Sequence, residues 1–181
     1  AYEPQRRETA VGLRGFMDLR GFVGHAVVDD QSQLVGFSMA AALEGFPSVD
    51  GCPQDATWGA GISLYSLEML VSEDHRGAGI GRVLKSAQID AAREAGFHFV
   101  CGRNRVGGTD EMAPLNQSFG AYTVCRLTKQ YGGDGEADYY RLPLYPGRVL
   151  ASARSGLGVD LAGGLQRPLG DTPETLLNAA Q

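Results

Sequence analysis

The densest chemistry in this chain lies at Arg76-Gly77-Ala78-Gly79-Ile80-Gly81. Glycines allow a tight turn and let a ligand approach the backbone amides closely. The apolar repeat that begins at Ile80 makes the next segment a helix. Its unpaired first N–H groups and positive dipole end then face the same spot. A loop of this kind cradles a pyrophosphate. The string alone is weak, since Arg-x-x-Gly-x-Gly arises by chance roughly 0.3 times in a chain of this composition. A dinucleotide fingerprint needs a third glycine and an acidic residue about 20 positions on, and neither is present. Walker and kinase loops need a lysine at fixed spacing, which is also missing.

The elements around the loop must hold it in place. Ile62 to Val71 alternates apolar and polar residues and predicts a strand, with a phase slip near Tyr65 and Ser66 that suits a bulge. Ile80, Val83, Leu84, Ala87 and Ala91 predict a helix over 79–95 with those residues on its buried face. Gly96 stops it. Phe97 to Cys101 is a further short strand. Residues 62–101 thus form a strand, Gly loop, helix and strand, the pattern of a crossover between neighbouring strands. Upstream, 4–20 reads as a helix, and 25–29 with 34–40 as a hairpin. Residues 44–61 form a long loop, and such loops are often functional. Downstream, Thr109 or Asp110 caps a helix over 111–119. Strands at 121–129 and 139–144 close the series around the Gly132–Gly135 turn.

In this order and context the chain resembles the GCN5-related N-acetyltransferase (GNAT) superfamily. That family carries Gln/Arg-x-x-Gly-x-Gly/Ala between a strand and a helix, here Arg76-x-x-Gly79-x-Gly81. The run Leu67-Glu68-Met69-Leu70-Val71, followed by Arg76-Gly77, also matches the family's pattern. The resemblance spans residues 4–145. It implies an α/β (α+β) fold with a mixed, mostly antiparallel central sheet flanked by helices. The family's first strand is not recognisable here.

The resemblance also implies roles. Backbone amides of Arg76, Gly77, Ala78, Gly79, Ile80, Gly81 and Arg82 would hold the pyrophosphate of coenzyme A, with the Arg76 side chain adding a charge-assisted contact. The backbone of Met69, Leu70 and Val71 would pair with the pantetheine arm. The Leu70 amide would polarise the thioester carbonyl. Glu68 is the candidate general base. The family's usual acid is a Tyr four residues before a Gly-Phe pair. Here the pair is Gly120-Ala121 and that position is Asn116, so the usual acid is missing; Tyr122 and Cys101 are the candidates in its place, and Asn116 is a candidate for binding substrate. His98, flanked by Phe97 and Phe99, reads as a structural histidine, and His75 as solvated. Trp58 and Phe46 are weaker candidates for lining an acceptor pocket.

The implied activity is acyl transfer from acetyl-CoA, or another acyl-CoA, to a small-molecule or peptide amine. Two alternatives remain. One is a domain that decarboxylates malonyl-CoA or passes an acyl group to a carrier-protein thiol. The other is a non-catalytic acyl-CoA-binding module.

Composition bounds these readings. The 181 residues have 43% hydrophobic and 20% charged content, which suits a globular domain. A net charge of −5 and the lack of a basic run exclude a typical nucleic-acid binder. No apolar run is long enough to span a membrane. Cys52, Cys101 and Cys125 have no ligand spacing, so no metal is expected, and all three read as free buried thiols in a reducing, cytoplasmic setting. Pro146-Gly147 marks a boundary. The domain is expected to end at 145, with 146–181 as a tail or linker without a clear strand and with a short helix from Thr172-Pro173. The absent initial Met suggests a processed or excised chain, with a fused domain as one partner. The oligomeric state stays open, a dimer included.

Overall fold

The computed structural model describes residues 10–107, 112–131, 133–145, 149–151, 157–160 and 166–168. The capping pair Thr109 and Asp110, the helix expected from Thr172-Pro173 and residues 4–9 of the first helix lie outside them.

Helix α1 (Ala10–Met17) ends sooner than expected, and Gly21 at φ +65° turns the chain into β1 (Val23–Val28). β1 and β2 (Leu34–Ala42) form the predicted hairpin. Its turn is held by the Asp29 carboxylate, which accepts the Gln31 and Gln33 amides at 2.9 and 2.8 Å. This is the local side-chain chemistry that favours Asp in turns. β3 (Ser63–Val71) runs antiparallel to β2. α2 (Ile80–Glu94) then carries the chain over the sheet to β4 (Phe99–Arg105), which pairs parallel to β3. α3 (Met112–Ser118), β5 (Tyr122–Gln130) and β6 (Gly135–Pro143) follow. The six strands are ordered β1-β2-β3-β4-β6-β5, and β3–β4 is the parallel neighbour pair. The crossover read from residues 62–101 is therefore present.

The sheet separates two packed layers, as side-chain alternation requires. On the α2 face lie Ala40, Ala42, Leu64, Ile89, Ala92, Val100 and Leu142. On the opposite face Ala41, Leu43, Phe46, Tyr65, Phe99, Cys101 and Tyr139 pack beneath Phe16 and Leu19. The long segment between β2 and β3 covers this second layer. It begins with a 3-10 turn at Leu43–Gly45 and continues through turns that repeat every three residues, with amide-to-carbonyl bonds from Val49 to Phe46, Cys52 to Val49, Asp55 to Cys52 and Trp58 to Asp55. The Glu44 carboxylate closes it by accepting the Gly59 and Gly61 amides at 3.0 and 2.9 Å.

Three expectations need correction. α2 does not bury the face read from its apolar residues. Its buried residues are Leu84, Lys85, Gln88, Ile89 and Ala92, while Val83 is 62% exposed. Cys125 is exposed, unlike Cys52 and Cys101. The tail is not strandless: β7 (Val149–Ala151), β8 (Leu157–Asp160) and β9 (Gln166–Pro168) form a second, antiparallel sheet. Among the described residues no helix is long and apolar enough to cross a membrane.

Candidate active site where two parallel strands splay

β3 and β4 pair over only three residues, Ser63, Leu64 and Tyr65 against Phe99, Val100 and Cys101. Beyond them β4 stays bonded to β6 through Arg105, and β3 stays bonded to β2 through Val71. The two strands therefore part into a V. Burial follows the split, since Ser63–Tyr65 are buried whereas Ser66–Val71 are half-buried or exposed. A bulge accompanies it. Met39 faces Glu68 and Ala40 faces Ser66, so Leu67 is the extra residue. The predicted phase slip lies one residue away. A bulge bends its strand and redirects side chains.

The faces of β3 follow from its partners. A Cβ on Gly36 would meet Ile80 and Leu84 of α2, so Gly36 and its partner Val71 face α2. Alternation puts Met69 on that face, and Glu68 and Leu70 on the other. The arms of the V thus present backbone, with Glu68 on the side away from α2. Glu68 is half-buried and engaged in an interaction of its own.

The Gly loop stands where β3 ends, at the open end of the V. A 3-10 turn at Glu73–His75 leads into it, closed by a 2.8 Å contact between Ser72 Oγ and His75 Nδ1. His75 is therefore half-buried and bonded rather than simply solvated. Gly77 and Gly79 have φ of +79° and +83°, a region that disfavours any side chain. A Cβ on either would meet nothing within 4 Å, so the loop is open around both. Gly79 caps α2 without a side-chain bond, which leaves the amides of the first turn free for an anion. Arg76 is exposed, and its Nε donates to the Val71 carbonyl at 3.4 Å. Arg82 donates from Nη2 to Ser118 Oγ at 3.1 Å and stacks over Phe119 at 5.3 Å, which ties α2 to α3.

Asn116 and the two acid candidates separate. Asn116 is buried on α3 and donates from Nδ2 to Asn104 Oδ1 of β4 at 2.9 Å. It thereby braces α3 against the arm of the V that belongs to β4. Tyr122 pairs with Arg141 on β5 and β6, on the face away from α2. Burial raises its pKa, and the Arg141 guanidinium pulls it back. Tyr122 thus belongs to another group of side chains, as does Cys101, whose thiol burial pushes far up. Phe46 is core, packed on Tyr65 with centroids 4.8 Å apart, and Trp58 packs against the same layer. His98 packs its ring at a tilt against Tyr145 with centroids 5.2 Å apart, a structural position.

That other group centres on Asp55, which the sequence reading missed. Its carboxylate accepts from Arg141 Nη2 at 2.7 Å, Tyr139 Oη at 2.9 Å and Thr57 Oγ1 at 2.7 Å. Burial alone would raise the Asp55 pKa. Arg141 and the Thr57 hydrogen bonds outweigh it and hold the carboxyl below the ordinary range. The cluster clamps the long turn segment onto β4 and β6. Among the described residues no group of three His, Cys, Asp or Glu could hold a metal ion.

No protein-family model and no curated protein sequence matches this chain. Solved structures do. The ribosomal-protein-S18-alanine N-acetyltransferase of Escherichia coli matches with a TM-score of 0.58 at 14% identity, over 82% of this chain and 83% of its own. Mutant forms of the spermidine/spermine N-acetyltransferase of Vibrio cholerae match at 0.56 and 13%, over 74% of each chain. A GCN5-related N-acetyltransferase of Kribbella flavida matches at 0.55 and 22%, over 79% and 80%. The six-stranded sheet, its helices and its splayed parallel pair are the fold of the GCN5-related N-acetyltransferase superfamily.

Proposed function

We propose that this chain is an acyl-CoA-dependent acyltransferase that moves an acetyl group from acetyl-CoA to an amine. The observation that carries this reading is the V between β3 and β4, with an open Gly loop and a helix N-terminus at its wide end. The pyrophosphate would sit on the amides of residues 76–82, with Arg76 and Arg82 as neighbouring cations. The pantetheine amides would add to Met69, Leu70 and Val71 like a further strand, a mode in which main-chain bonds supply affinity. This runs the thioester down the V toward the bulge. Backbone amides of β3, Leu70 among them, would polarise its carbonyl.

The amine would enter from the face that carries Glu68. Its nitrogen attacks the carbonyl carbon, the N–C bond forms, and the C–S bond breaks with its electron pair on sulfur. Glu68, directly or through water, takes the proton that the nitrogen loses. Most of the rate comes from holding both substrates in line. The acceptors of two structural neighbours, spermidine or spermine and a ribosomal-protein alanine, are amines, which supports this acceptor class. A ribosomal-protein acceptor among them also suits a cytoplasmic setting.

Calorimetry with acetyl-CoA tests the donor site, and thiol release with polyamines and free N-terminal peptides tests the transfer. Absence of acetyl-CoA binding would overturn the reading. The buried Asn116 in place of an acid favours a second reading, malonyl-CoA decarboxylation or transfer to a carrier-protein thiol. Mass spectrometry for acetyl-CoA after incubation with malonyl-CoA distinguishes the decarboxylase. Tight CoA binding with no turnover on any acceptor would identify a binding module.

A further inference from the structure

A second polar cluster lies at the apex of the V. Tyr140 of β6 pairs with Gly102 of β4, and Gly102 is the first β4 residue past the β3 pairing. A Cβ there would stand 2.6 Å from the Tyr140 hydroxyl, so the missing side chain lets the phenol cross β4 toward β3. Ser66, the first β3 residue past the pairing, and Asn116 of α3 interact with that hydroxyl. Lys85 Nζ donates to it at 3.2 Å and to Gln88 Oε1 at 3.1 Å. Lys85, Gln88 and Asn116 are each at most 1% exposed. Two polar atoms of this cluster, Gln88 Nε2 and Asn116 Oδ1, are buried without a hydrogen-bond partner.

A cluster like this is costly. Sheet-facing positions of a helix are ordinarily apolar, and an ammonium buried without a carboxylate is strongly disfavoured. No described carboxylate forms an ion pair with Lys85. Buried titratable groups whose proton affinity is perturbed concentrate at functional sites.

We propose that the Tyr140 hydroxyl is the proton donor to the departing thiolate, and that Lys85 resupplies it from behind. The inference rests on the acyl-CoA reading above, because only a thioester lying along β3 brings sulfur to this apex. It also accounts for Asn116, since an acid from β6 replaces the one that α3 does not supply. As the C–S bond breaks, the hydroxyl proton passes to sulfur and a proton of the Lys85 ammonium passes to the phenolate oxygen. Lys85 is left neutral and regains its proton from solvent once the thiol departs. Tyr140 touches the reacting atoms, whereas Lys85 acts through it. Burial draws the Lys85 pKa down to about 7, where its proton is readily given and regained. The groups facing it are Gln88 on its own helix, Tyr140 on β6, Ser66 on β3, Asn116 on α3 and His25, whose pairing with Ser38 puts it on the same sheet face, while the Cys101 thiol of β4 points into the opposite layer.

The chain has only two lysines, Lys85 and Lys129, so lysine labelled with carbon-13 at Cε gives two assignable resonances. The full chain is titrated with CoA and with desulfo-CoA, which lacks the sulfur, after calorimetry has shown that each binds. The relay runs in both directions, so bound CoA shares its thiol proton through Tyr140 and presents negative charge to Lys85, and the Lys85 pKa is expected to rise with CoA and not with desulfo-CoA. Tyr140→Phe should remove the difference. Equal Lys85 values with both bound ligands would overturn the inference and leave the donor site standing. Failure of both to bind would overturn the acyl-CoA reading itself. The wild-type comparison decides the question even where Tyr140→Phe does not fold.

Discussion

Two buried charges dominate at the residue scale, and they behave oppositely. Asp55 is compensated. Removing its charge leaves the Arg141 guanidinium buried and unpaired, a situation that costs about 3–5 kcal/mol. Asp55→Asn should lower stability by that order in urea unfolding. The wild-type advantage should fade only as pH falls below the ordinary carboxylate range, through the depressed folded pKa of Asp55. Lys85 is uncompensated. Its folded pKa is near 7 against 10.5 for a free lysine, so between these values the unfolded chain holds one proton more than the folded one. Stability must therefore rise with pH across that window, and the penalty is greatest below pH 7. Lys85→Met should be more stable than wild type at neutral pH by a few kcal/mol, because each tenfold difference in proton affinity between the folded and unfolded chains is worth about 1.4 kcal/mol. It should also lack the upward slope between pH 7 and 9. Above pH 9 the slope should weaken in wild type, because Cys52, held up to about 12 by burial, stays protonated only in the folded chain. Urea melts at half-unit pH steps check both variants.

At the scale of elements, the Gly loop and α2 show what a sequence discloses and what it hides. Strand order, the crossover and the bulge were readable because each leaves a local period or a break in one. The loop was readable because φ of +79° and +83° effectively demands glycine. Gly79→Ala meets no steric contact, so its strain, about 1 kcal/mol, is backbone alone. The variant should stay folded yet bind acetyl-CoA several-fold more weakly. Arg76→Glu should weaken binding by at least tenfold with the melting temperature unchanged. Equal affinity in either variant would remove the loop from the donor site. The buried face of α2 was misread for a physical reason. Apolar spacing selects Val83, Ala87 and Ala91, whereas the helix turns Lys85 and Gln88 inward beside Leu84 and Ile89. Hydrophobic periodicity cannot register a buried lysine. Asp55 escaped similarly, since its partners Tyr139 and Arg141 are more than 80 residues away.

At the scale of the whole molecule, the strands of the six-stranded sheet and the described residues of both its packed layers lie within residues 10–145. Both packed layers, the V, the Gly loop and the Asp55 clamp draw on residues before 146. The β7–β9 strands hydrogen-bond with one another in a sheet of their own and extend no edge of the six-stranded one. Whether a donor site needs the tail is then a question of core integrity, and the core residues among those described all precede position 146. A chain ending at Tyr145 is expected to unfold cooperatively and to bind acetyl-CoA within about threefold of the full chain, since interactions made by distant, independent segments add. Acceptor turnover can differ between the two, because a tail can reach an acceptor without touching the donor. The measurement is calorimetry on both lengths, paired with thiol release on the same amine panel. Equal affinity with unequal turnover would assign the tail to acceptor selection. A tenfold or greater loss of acetyl-CoA affinity would show that the domain does not end at 145.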